Sequence, residues 1–174
     1  MSHINIEFKA RIMNIKAAEE KLQQLNPIFI GEDLQTDTYY NVPQGRLKLR
    51  EGNIENALIY YERENLAGSK QSNVILYEHT PSSQLKSLIE KVHGIKTIVI
   101  KRRKIYFIDN VKFHFDHVEN LGEFMEVEAI DKDGSIPVTM LQMQADKYSS
   151  FFEISPQDFI ELSYSDMMIN NKAK

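Results

Sequence analysis

The pentapeptide Arg46-Leu47-Lys48-Leu49-Arg50 alternates cation and leucine without interruption. No other stretch constrains the fold as much. Successive side chains of a strand point to opposite faces, so three cations share one face and two leucines the other. Like charges at neighbouring same-face positions repel, and a sheet exposed to water ordinarily intersperses its signs. The arrangement recurs along the chain. Ile4, Ile6, Phe8, Ala10 and Ile12 alternate with Asn5, Glu7, Lys9 and Arg11. Lys101 and Arg103 interrupt a β-branched run, Arg63 lies on a strand-like segment, and Asp116, Glu126 and Glu128 lie within residues 114–128. A closed barrel with a charged interior accounts for these faces better than a surface sheet. Lys9, Arg46, Lys48, Arg50, Arg63, Lys101 and Arg103 then converge on one lumen, with Glu7, Asp116, Glu126 and Glu128 beside them. Such a lumen repels itself unless it holds anions and metal.

The remaining elements follow from periodicity and punctuation. Asn14 caps a helix carrying Ile15, Ala18, Leu22 and Leu25 that ends at Asn26-Pro27. Short strands are expected at 28–30, 35–41, 57–64 and 74–77, with 66–73 as a loop. Ser82 or Ser83 starts a helix with Leu85, Leu88, Ile89 and Val92 inward, which Gly94 ends. Residues 95–108 and 111–118 form a hairpin across Asp109-Asn110, and Asn120-Leu121-Gly122 turns the chain into the segment bearing Glu126 and Glu128. Ser135 and Pro137 begin a helix with Val138, Leu141, Ala145, Tyr148 and Phe152. Ser155 and Pro156 open a last helix through Phe159, Ile160, Leu162 and Tyr164. Mostly antiparallel strands with a few helices make this an α+β chain, read as a single domain over 1–174.

Composition narrows the partners. Net charge is −4, so the surface as a whole attracts neither nucleic acid nor membrane. No apolar run approaches the roughly 20 residues of a membrane helix, and the absence of cysteine removes disulfides and thiolate metal sites. A cytoplasmic location is expected. A homodimer is left open, since no sequence feature decides the oligomeric state.

The converging cations suit polyphosphate, because each phosphate offers several anionic oxygens and the arginine fork binds two at once. Glu126 and Glu128 face the same way, roughly 6–7 Å apart, and the hairpin through Gly122 can return Asp116 beside them as oxygen ligands for a hard divalent cation. Taken alone, the two glutamates read equally well as a solvated acidic face. His114 shares a face with Asp116 and reads as barrel lining. No Gly-x-x-x-x-Gly-Lys followed by Ser or Thr occurs, so phosphate binding is side-chain driven.

The segments Ile6-Glu7-Phe8-Lys9, Asp37-Thr38-Tyr39-Tyr40, Arg46 to Arg50, Gly68-Ser69-Lys70-Gln71-Ser72, Lys101-Arg102-Arg103 and Asp116 to Glu128 occur in that order. In this the chain resembles the CYTH family of class IV adenylyl cyclases, thiamine triphosphatases and other triphosphate tunnel metalloenzymes. Ser163-Tyr164-Ser165-Asp166 resembles the ending of the class IV cyclase-like branch. The resemblance implies an eight-stranded antiparallel tunnel that holds Mg2+ or Mn2+ and a triphosphate. The triphosphate would be a nucleoside triphosphate, thiamine triphosphate or inorganic tripolyphosphate. The reaction would be adenylyl cyclase-like, taking ATP to cyclic AMP and pyrophosphate, or a triphosphate phosphohydrolase. Carried over by position, Glu7, Lys9 and Glu126 would be catalytic. Lys9, Arg46, Lys48, Arg50, Arg63, Lys70, Lys101 and Arg103 would bind substrate, and Glu7, Asp116, Glu126 and Glu128 would bind metal. Asn5 stands where the family signature has its first Glu. An uncharged amide there motivates the alternative of a non-catalytic nucleotide- or polyphosphate-binding module.

Overall fold

In the computed structural model, which describes residues 2–172, eight strands close into one antiparallel barrel. They are β1 (Ser2–Arg11), β2 (Ile28–Tyr40), β3 (Arg46–Glu51), β4 (Ala57–Arg63), β5 (Lys70–Glu78), β6 (Ile95–Ile108), β7 (Val111–Val118) and β8 (Gly122–Asp131). Around the barrel they run β1-β5-β4-β3-β2-β6-β7-β8. Strand β1 closes the ring by pairing with both β5 and β8. The β6–β7 and β7–β8 turns place Asp109 and Asn120 at positive φ, which short polar side chains tolerate.

Alternation then sorts the side chains. Ile6, Phe8, Phe113, Phe115, Met125 and Val127 form an outer core cluster. Two helices complete it: Leu22 of α1 (Ile15–Gln23) and Leu141, Ala145 and Tyr148 of α3 (Val138–Phe151). On the opposite side, Ile89 of α2 (Ser83–His93) covers Tyr40 and Leu49. The polar faces are left to the interior. Helix α4 (Tyr164–Lys172) lies across one end of the barrel, where Tyr164, Met167 and Met168 pack with Val99, Val118 and Phe124.

Four sequence expectations are corrected. The strand pieces at 28–30 and 35–41 are one strand, β2, with a register irregularity between Phe29 and Gly31. Strand β5 begins at Lys70, inside the expected loop. Leu88 and Val92 are 63% and 67% exposed, because Leu85 and Ile89, four apart, already form the face of α2 that meets the sheet. The helix expected from Ser155 is only a 3-10 turn, Pro156–Asp158. Beyond it the chain is extended, bridging Phe159 to Ala10 and donating the Ile160 amide to the Lys9 carbonyl, before α4 starts at Tyr164.

Candidate active site

The barrel encloses a cavity of about 740 Å3, within the size range of small-molecule sites. Its inner end is lined by Ser163 and Tyr164, and its mouth by residues such as His3, Ile54, Tyr77, His79 and Phe107. The lining carries eight Lys and Arg side chains but also six Asp and Glu. The cations are thus largely paired with resident carboxylates, which corrects the expectation of a self-repelling interior.

Asp37 is the hub of one group. It is 1% exposed and accepts from Lys101 Nζ at 2.6 Å, Lys48 Nζ at 3.1 Å, and Arg50 Nε and Nη2 at 2.9 and 3.0 Å. The register Asp37↔Arg50 and Tyr39↔Lys48 puts them on one face. Burial works to raise the Asp37 pKa, but Arg50, Lys101 and Lys48 together hold it well below the carboxylate range. Lys101 is pushed down to about 7 by burial, with Arg50, Arg103 and Lys48 adding to the fall and Asp37 opposing it.

Arg103 organises a second group. Its guanidinium forks onto Asp116 and also reaches Glu126. Asp116 is fully buried and accepts the Tyr164 hydroxyl at 2.7 Å. Asp116 therefore aims Arg103. It is not among the side chains whose ligand atoms cluster, which are His114, Glu126 and Glu128. Lys9 Nζ lies 2.9 Å from Glu126 and 3.6 Å from the centre of the Tyr164 ring. Glu7 pairs with Arg63.

The carboxylate–imidazole cluster comes directly from strand register, with His114 opposite Glu126 and Glu7 opposite Glu128. Its ligand atoms lie within 4.8 Å of one another. Burial lowers the His114 pKa to about 3, helped by Arg103 and Lys112, so the ring is neutral. Glu126 resists burial through Lys9 and Arg103 and stays well below the usual range. Glu128 rises to about 7 through burial, which Lys112 opposes and Glu7 and Glu126 reinforce. A crowded carboxylate beside two others is relieved by a cation. Two carboxylates and a neutral imidazole with no well-formed hydrogen bond on either nitrogen fit a divalent metal.

Two expected site residues, Lys70 and Arg46, sit apart from this interior. Lys70 occupies the first position of β5, and its ammonium is held by the carbonyls of Leu66, Ile160 and Glu161. It pins the C-terminal segment. Arg46 joins Asp166 and Asn65, each at 2.8 Å, beside α4. Asn5 lines the tunnel, 4% exposed, with Oδ1 unpartnered.

Asp37 is marked in the sequence only as part of the Asp37-to-Tyr40 segment, with no role of its own, and Lys112 and Glu55 are not marked. Lys112 and His114 continue the alternation that leads to Asp116, so extending that pattern by two steps finds Lys112. Asp37 continues the series Asp33, Gln35, Asp37, Tyr39. Glu55 lies in the β3–β4 loop and reaches Lys112, Arg50 and Gln35. The loop is fixed by Asp33, which accepts the Ile54 and Glu55 amides at 2.9 Å each. A Cβ on Gly52 would lie 2.5 Å from that carboxylate, so glycine is required there.

A sequence model of the CYTH domain matches residues 3–151. The chain is 26% identical over 145 residues to adenylate cyclase CyaB of Aeromonas hydrophila, covering 80% of this chain and 76% of that protein. Its fold matches a proposed adenylate cyclase of Vibrio parahaemolyticus with TM-score 0.79 at 19% identity, over 97% and 99% of the two chains. It also matches a Hippeastrum protein with a dominant triphosphatase activity, with TM-score 0.62 at 14% identity, over 99% and 96%.

Proposed function

Because the chain belongs to the CYTH domain family, we propose that it is a metal-dependent, adenylyl cyclase-like enzyme that converts ATP to cyclic AMP and pyrophosphate in its tunnel. The observation that carries this reading is the juxtaposition, in one cavity, of the Asp37-centred cations with the cluster of His114, Glu126 and Glu128. The similarity to adenylate cyclase CyaB supports the choice of substrate.

In this reading Lys48, Arg50 and Lys101 bind phosphate oxygens, exchanging part of their contact with Asp37 for them. Lys9 and Arg103, already oriented by Glu126 and Asp116, are preorganised for charge that develops at the reacting phosphorus. Arg63, paired with Glu7, extends the cationic wall. Glu126 and Glu128 would hold the metal, which when bound neutralises phosphate charge and polarises the phosphoryl group. In-line attack by the ribose 3′-hydroxyl on the α-phosphorus forms the cyclic ester and breaks the bond from that phosphorus to the bridging oxygen, so that pyrophosphate leaves and the hydroxyl proton passes to solvent. Attack by water on the γ-phosphorus would use the same residues and release orthophosphate. The uncharged amide of Asn5, whose Oδ1 has no partner, is what favours a second reading, a tunnel that binds a triphosphate without turnover.

Purified protein incubated with ATP, thiamine triphosphate or tripolyphosphate, with Mg2+ or Mn2+, distinguishes these outcomes. Cyclic AMP is expected. Orthophosphate alone would replace the cyclase by a hydrolase, and tight binding with background turnover would favour the binding module. Glu126→Gln should reduce turnover at least about 100-fold while triphosphate binding through the cations survives. Undiminished turnover in that variant would overturn the metal assignment.

A further inference from the structure

We propose that His114 is a direct ligand of the divalent cation, and that its imidazole nitrogen makes the site select Mn2+ over Mg2+. This rests on the metal-dependent reading above and adds to it a residue and a metal preference. His114 is 1% exposed, yet Nδ1 makes only long contacts to Glu126 and Glu128 and no well-formed hydrogen bond. Buried polar atoms are ordinarily satisfied, and a ring nitrogen held this loosely between two carboxylates is costly without a further partner. A histidine packed as an inert core residue would have apolar neighbours or a backbone carbonyl to receive its N–H. This one stands among Glu126, Glu128, Arg103 and Lys112.

The direction of the ring points to the ligand. Nδ1 lies 3.5 Å from Glu126 Oε2 and 3.7 Å from Glu128 Oε1. Donors on opposite sides of one ion at about 2.1 Å lie about 4.2 Å apart. The 4.8 Å spread of the cluster therefore closes with side-chain adjustments of a few tenths of an ångström. Glu126 cannot serve as a free bidentate ligand, since Oε1 is engaged by Lys9 and Oε2 by Arg103. A neutral third donor completes the set without adding negative charge. Mg2+ prefers an all-oxygen octahedron and gives up water reluctantly, whereas Mn2+, which also favours oxygen donors, is a first-row transition-metal ion and gains more from replacing one of them by imidazole nitrogen. Mn2+ accepts carboxylate and imidazole together.

The test uses Mn2+ with the full chain and no triphosphate, so that it does not depend on turnover. Electron spin-echo envelope modulation of the Mn2+-loaded protein should show directly bound nitrogen, and 15N-labelled histidine should change that signal. His114→Gln should remove it and weaken Mn2+ binding about tenfold by calorimetry, with Mg2+ binding changed less than about threefold. Nitrogen-free Mn2+ binding by the unsubstituted protein would overturn the proposal without any variant having to fold. So would absence of Mn2+ binding, or a parallel loss of Mn2+ and Mg2+ affinity in His114→Gln. Nitrogen-bound Mn2+ in a protein that turns over no triphosphate would remove the enzymatic reading and leave this one standing.

Discussion

Lys101 has no solvent exposure in its side chain and its ammonium lies 2.6 Å from Asp37, so its charge is set by its neighbours. Asp37 faces it from β2, Lys48 and Arg50 from β3, and Arg103 from its own strand. With a pKa near 7 in place of 10.5, Lys101 is cationic below neutrality and increasingly neutral above it. In the ligand-free protein it binds fewer protons than the unfolded chain between these values, so this residue's contribution to stability grows as pH rises through that window. Phosphate binding has the opposite sign, because an anion favours the charged ammonium and draws a proton in. Tripolyphosphate affinity, after subtraction of the ligand's own last ionisation measured without protein, should therefore fall from pH 7 to 9. Calorimetry in two buffers of different ionisation enthalpy should detect proton uptake, and Lys101→Met should flatten the profile. An unchanged slope in that variant would refute the assignment. At this scale the lumen cations were legible because strand alternation fixes which face they take. Their partners are less so: Asp37 heads the Asp37-to-Tyr40 segment, but nothing in its period marks it as the hub of three cations, and Glu55 arrives from a loop, where no period operates.

Among the elements, the β6–β7 hairpin and the helix from Ser82 to Gly94 could be read almost to the residue, since turn chemistry and capping are local. Helix α4 could not. Pro156 at an apparent first helical position is a strong local signal, but the chain there forms an isolated bridge to Ala10 and a hydrogen bond to the Lys9 carbonyl. Tertiary pairing overrides the local preference. The displaced helix instead starts at Tyr164, whose ring packs with Phe124 at 5.2 Å and lies under Lys9 Nζ, while its hydroxyl holds Asp116. Tyr164→Ala should cost about 3–5 kcal/mol, measurable by urea unfolding. Tyr164→Phe, which keeps the ring and removes the hydroxyl, should cost about 1–2 kcal/mol and loosen Arg103 through Asp116. Equal losses in the two variants would mean that α4 is held by the hydroxyl alone.

For the whole molecule the decisive quantity is the charge balance of the tunnel, which no single strand reveals. The chain carries −4 overall, yet the tunnel lining has two more cationic than anionic side chains. A nucleoside triphosphate brings roughly four negative charges near neutrality, so on its own it overfills the interior by about two. One divalent cation restores neutrality, and with resident carboxylates on both sides of the site the cation and triphosphate should bind cooperatively. Such coupling is reciprocal: the factor by which metal tightens triphosphate binding equals the factor by which triphosphate tightens metal binding. A coupling of about 2 kcal/mol corresponds to about 30-fold in each direction. Titrating a non-hydrolysable ATP analogue into the protein with EDTA or with Mn2+, and Mn2+ into the protein with and without the analogue, measures both arms independently. Correction for metal bound by the analogue in solution leaves the protein's own contribution. Equal analogue affinity in EDTA and in Mn2+ would mean that the paired cations alone suffice. The carboxylate cluster would then have to be assigned a role other than completing the charge of the bound triphosphate.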